Sequence, residues 1–91
     1  MPTVHLLIKG KVQGVFYRKT AKEIADNNGL TGWVRNTADG NVEITASGTE
    51  AALQAFINWC HIGPARAVVN AVEVTPVPSQ YFVTFEVKRN M

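Results

Sequence analysis

The 91-residue chain predicts an α+β fold: a βαββαβ two-layer sandwich with a short extra C-terminal strand. Three observations carry that prediction. Apolar and polar residues alternate near both ends of the chain, two stretches of helical spacing interrupt the alternation, and Asp39 followed by Gly40 joins two β-rich runs as a tight turn.

In chain order, Val4, Leu6 and Ile8 alternate with His5, Leu7 and Lys9, the pattern of a strand with one better-buried face. That strand is expected to end near Val12. Ala21, Ile24, Ala25 and Asn28 then recur at helical spacing, and Gly29 can stop the helix in a left-handed conformation. "LTGWVRNT" and "NVEITAS" follow, joined by "ADG"; Asp-Gly is a favoured hairpin pair, so these strands are expected to be antiparallel neighbours. Leu53, Phe56, Ile57 and Cys60 fall at i, i+3, i+4 and i+7, with Ser47 or Thr49 as N-cap and Gly63-Pro64 as terminator. "AVVNAVEV" reads as a fourth strand. Tyr81, Val83, Phe85 and Val87, alternating with Phe82, Thr84, Glu86 and Lys88, read as a last one. The succession is the ferredoxin-like split βαβ arrangement, an antiparallel sheet with both helices on one face.

With 46% hydrophobic residues, residues 1–91 have the size and composition of one domain with one core. A net charge of +2 is too small to argue for nucleic acid by charge alone. The cations are uneven, however. Lys9, Lys11, Arg18, Lys19, Lys22 and Arg35 lie in the first 40 residues against only Glu23, Asp26 and Asp39, which points to a local anion site. A single cysteine, Cys60, forms no internal disulfide, and no stretch nears the ~18 apolar residues of a membrane span or resembles a signal peptide. A reducing cytoplasm is the expected setting.

The candidate anion site is "GKVQGVFYRKT", residues 10–20, where the first strand runs into the first helix; on composition alone a solvated basic turn with an ordinary glycine hinge is the favoured reading. Main-chain N–H groups of such a loop converge, and the helix dipole adds positive charge. Gly10 and Gly14 let the chain turn, and Arg18 offers a planar fork of donors suited to a phosphoryl group. Walker A and dinucleotide glycine patterns are both absent. Other uses of this fold fit poorly: the first and third strands lack the aromatic residues of RNA-recognition domains, and the first loop lacks the cysteines of copper carriers.

"GKVQGVFYR" at 10–18 and "GWVRNTADGNVEITASG" at 32–48 resemble the two signatures of the acylphosphatase family, in order and with matching spacing. "GPARAVV" and "FEVKR" extend the likeness over nearly all of the chain. The resemblance implies a small cytosolic hydrolase of carboxyl phosphates such as acetyl phosphate or 1,3-bisphosphoglycerate, with no metal and no other cofactor. It implies that the loop of Gln13, Gly14, Val15, Phe16, Tyr17 and Arg18 cradles the phosphoryl oxygens, through backbone N–H groups and the Arg18 side chain, and that Asn36 orients the attacking water. If the first two strands are neighbours where the loop emerges, Asn36 can face Arg18. The expected partners are a small acyl phosphate and inorganic phosphate, as product and competitive inhibitor. Nucleic acid and membrane are not expected partners, and the chain is expected to be monomeric.

The alternative is a non-catalytic anion-binding or regulatory module of the same fold, which loss of Arg18 or Asn36 would have favoured; both are present. A larger carbamoyl-transfer maturation protein carries a similar domain, but 91 residues leave no space for the rest. His5 and His61 lie outside the expected site and Cys60 is expected in the core. Trp33, Phe16 and Tyr17 are expected to pack beneath the loop. Lys9, Lys11, Lys19 and Lys22 read as solvated charges. "NM" follows Lys88 and Arg89, where many family members end soon after the last strand, and this departure leaves open whether the C-terminus helps to position Arg18.

Overall fold

A computed structural model describes residues 1–89. Its elements run β1 (Thr3–Lys11), α1 (Tyr17–Asn27), β2 (Thr31–Asn36), β3 (Val42–Ser47), α2 (Glu50–Ile62), β4 (Val68–Val77) and β5 (Phe85–Val87). The βαββαβ order with a short added strand is the expected one. The five strands lie in the order β4-β1-β3-β2-β5. Every pairing is antiparallel except that of β2 with β5, which is parallel.

β1 and β2 are therefore not neighbours, contrary to the adjacency from which Asn36 was expected to reach the loop. β3 pairs with both, so the two run in the same direction, one strand apart. Ile8, Val42 and Asn36 stand in one cross-strand row, which brings the C-terminal ends of β1 and β2 to the same edge of the sheet. The distance is bridged by side chains, described below.

Alternation becomes burial on the helix-covered face. Leu6 and Ile8 of β1, Val34 of β2, Ile44 of β3 and Phe85 of β5 form one core with Ala21 and Ala25 of α1 and Leu53, Phe56 and Cys60 of α2. Phe56 meets Phe85 edge-on at 6.0 Å, fastening β5 to the second helix. On the other face, His5 Nε2 shares a 2.6 Å hydrogen bond with Glu43 Oε2, and Arg35 Nε donates to Glu43 Oε1 at 2.6 Å. Burial pushes the Glu43 carboxyl up, but the hydrogen bonds from His5 and Arg35 outweigh it and hold the group below its usual range. His5 is thus a structural residue of the open face.

The last strand is shorter than its alternation predicts. Gly32, near the start of β2, pairs with Phe85, so β2 offers little chain for an earlier extension of β5 to join. Tyr81 and Val83, expected in the strand, are largely exposed.

Candidate active site

The site is built where β1 hands over to α1. Val12 and Val15 are buried and pin the connecting loop to the core. Between and beyond them the backbone changes hand: Gly14 has φ 72° and Phe16 φ 65°, while Val15 is not in the positive-φ region. Such alternation turns successive N–H groups towards one concavity, an anion-binding nest. Among the described residues, no acceptor takes the N–H groups of residues 14–19. α1 begins at Phe16 with no side-chain cap and no acid in its first turn, so the positive end of its dipole is uncompensated by protein.

Gln13 ties this loop to the β2–β3 hairpin. Its Nε2 donates to the carbonyl of Thr37 at 2.9 Å and to that of Asn41 at 2.8 Å. The hairpin loop covers residues 37–41, wider than a two-residue turn at Asp39 and Gly40. Thr37 explains the extra length: its N–H donates to the Asn41 carbonyl at 2.9 Å and its Oγ1 accepts from the Asn41 N–H at 3.0 Å. Gly40 supplies the positive φ, 91°. Asn36, immediately before this loop, is only 6% exposed, and its Oδ1 has no hydrogen-bond partner among the described residues.

Arg18 projects from the first turn of α1, and its Nη1 donates to the Lys88 carbonyl at 3.0 Å. The Lys88 N–H in turn donates to the Val34 carbonyl at 2.8 Å, so β2 holds the residue that holds Arg18. Whether the C-terminal stretch helps to position Arg18 is answered at Lys88, whose main-chain carbonyl accepts from the guanidinium. Asn90 and Met91 lie outside the described residues. Gly14, Phe16, Arg18, Lys19 and Asn36, with Val12, Tyr17 and Val87, line one cavity of about 280 Å³.

Adjacent aromatics part company at the loop. Tyr17 is 1% exposed; its hydroxyl donates to the Cys60 carbonyl at 2.8 Å and its ring lies 5.2 Å from that of Trp59. Burial holds this phenol far above its usual range and pushes the Cys60 thiol up to about 12, so both are inert struts between the two helices. Phe16 does not pack beneath the loop as expected: it is 69% exposed, because its left-handed backbone turns it away from the core side taken by Tyr17. Nor does Trp33 lie under the loop. It stands on the open face, with the Arg35 guanidinium and the Lys88 ammonium each 4.9 Å from its ring centroid.

Gly10 also has another task than shaping the cradle. It lies in β1 at a register shift against β4, where an added Cβ would stand 2.1 Å from the Val68 carbonyl oxygen. Lys9 pairs with Glu73 and Lys22 with Asp26, whereas Lys19 borders the cavity. Among the described residues, no group of three His, Cys, Asp or Glu could hold a metal ion, and no helix is long and apolar enough to cross a membrane. Two site features escaped sequence reasoning, the Gln13 amide and the Lys88 carbonyl, since each acts on a partner far away in sequence.

Residues 4–87 match the family model described as Acylphosphatase. An acylphosphatase of Marinobacter nauticus is 52% identical over 82 residues, 89% of each chain. One from Acidovorax sp. is 53% identical over 77 residues, covering 85% of this chain and 79% of the relative. The crystal structure of an acylphosphatase from Bacillus subtilis superposes with a TM-score of 0.94 at 36% identity, over 97% of this chain and 99% of that one.

Proposed function

The chain belongs to the acylphosphatase family, and from that premise we propose how its loop and hairpin divide the work of hydrolysing a carboxyl phosphate. The activity is that of an acylphosphatase, with a small acyl phosphate as substrate. Residues 1–91 act as one domain. The N–H groups of the 13–18 loop and the Arg18 fork hold the non-bridging phosphoryl oxygens, and Asn36 places a water on the phosphorus opposite the acyl oxygen.

The chemistry asks little else of the protein. A carboxylate is a good leaving group, so holding the phosphoryl group, offsetting its charge and aligning water for in-line attack suffice. Water oxygen bonds to phosphorus, the bond from phosphorus to the acyl oxygen breaks, and the carboxylate leaves with that bond's electron pair. Asn36 is neutral and a poor base, so the water's proton passes to a phosphoryl oxygen and the second product is inorganic phosphate. No metal is assigned a role. The protein acts as a cytoplasmic monomer.

One observation carries this division: a nest of N–H groups and a buried amide oxygen, neither with a partner among the described residues, border the same cavity as a guanidinium held from behind by Lys88. Benzoyl phosphate or acetyl phosphate turnover tests it. Inorganic phosphate should inhibit competitively and sit on the 13–18 main chain in crystals grown with it; purely noncompetitive inhibition would place the anion elsewhere.

A further inference from the structure

We propose that Phe16 and Val87 form a subsite for the acyl group, selecting acyl phosphates whose acyl part is apolar and preferably aromatic; this rests on the acyl-phosphate reading above. Beside the loop and Asn36, the lining of the cavity includes the apolar residues Val12, Phe16 and Val87. Val12 is buried beneath it, whereas Phe16 is 69% and Val87 42% exposed. Phe16 belongs neither to the core nor to the apolar residues packed against it, and among the described residues no aromatic ring meets its own.

The backbone makes the choice of residue costly. Phe16 alone among non-glycine residues of the described chain has positive φ, a conformation that glycine adopts freely and a bulky side chain does not. A largely exposed residue held in that conformation beside the cavity gains little from folding, and strain of this kind gathers where a ligand uses it. The ligand part that emerges from a phosphate cradle is the acyl group. An aromatic acyl group would stack on or meet the edge of the Phe16 ring and cover Val87. Lys19 also borders the cavity and would suit an acyl group bearing a second anion. A single exposed lysine is weaker recognition than an apolar pair over an apolar floor.

The test is the ratio of kcat/KM for benzoyl phosphate to that for acetyl phosphate, measured for the unaltered chain, Phe16→Gly, Phe16→Trp and Val87→Ala. Glycine keeps the loop conformation available, and the ratio cancels any loss common to both substrates. It should fall about threefold to tenfold in Phe16→Gly and by a smaller factor in Val87→Ala, chiefly through KM for benzoyl phosphate, while Phe16→Trp preserves it. An unchanged ratio in both Phe16→Gly and Val87→Ala overturns the proposal, including the case in which the two activities fall together. Failure of the unaltered chain to turn over either substrate would overturn the acyl-phosphate reading itself, and the subsite with it.

Discussion

The two helices begin in opposite ways. At α2, Thr49 has extended backbone, its Oγ1 accepts from the Ala52 N–H at 3.1 Å, and Glu50 stands in the first turn; cap and acid satisfy what a helix start lacks. At α1 the cap position holds a left-handed Phe16, with no side-chain cap and no acid. The same chain thus finishes one helix with its own atoms and leaves the other without a cap at the place where we propose that the phosphoryl group binds. An active site of this kind needs no exotic residue. It needs an ordinary stabilising device withheld in one place, with Val12, Val15 and Tyr17 buried around it to hold the loop in shape.

Removing the groups proposed to act at the α1 end and at the facing end of β2 should produce the largest effects. Arg18→Ala should lower kcat/KM by on the order of 10³ and weaken competitive phosphate binding, with Arg18→Lys recovering only part because a point charge cannot replace a fork. Asn36→Ala should lower kcat by roughly 10² while phosphate inhibition stays nearly intact. If Asn36→Ala weakens phosphate as much as Arg18→Ala without its own fall in kcat, Asn36 is a phosphate ligand or a strut.

Giving α1 what α2 has should come next. Phe16→Asp places a carboxylate beside the uncapped end, where its charge complements the helix dipole and repels the substrate. Phosphate affinity and kcat/KM should each fall at least about tenfold, with thermal stability kept or raised; a variant of unchanged affinity would mean that charge at this helix start is irrelevant. The reciprocal change, Thr49→Ala, should cost about 1 kcal/mol of unfolding free energy in a denaturant titration and leave KM and kcat as they were. Altered kinetics there would break the separation between the two helix starts.

Acid should act on the open face before any change at the α1 end. Glu43 is held below its usual range in the folded chain, so its contribution to stability is present above the unfolded carboxyl value, about 4.3, and is lost as pH falls through the folded value. Glu43→Gln should flatten the stability profile below about pH 4; an unchanged acid limb would assign that loss to other carboxylates. The smallest expected effect is none. Exhaustive chelation should leave turnover unchanged, and loss restored by Mg²⁺ would overturn the proposed chemistry.

Local pattern carried much of the molecule. Period two along β1, the helical stripe from Leu53 to Cys60 and the glycine at 40 are short-range consequences of residue geometry, so the element order was legible without a fold. Arg18 and Asn36 were legible as residue types in a recurrent pattern of signatures. What pattern could not say was how distant pieces meet. Hairpin chemistry paired β2 with β3, but only the assembled sheet put β3 between β1 and β2 and so required Gln13 to reach across to Thr37 and Asn41. Phe16 and Tyr17 are neighbours of like polarity, and a left-handed backbone at one of them decided which ring entered the core. Lys88 became the support of Arg18 only when β5 docked parallel to β2, 70 residues from its partner. Such contacts depend on strand order and on the closing of a single core. The sequence by itself therefore determined the parts and the candidate groups of the site, and tertiary packing decided which of them face one another.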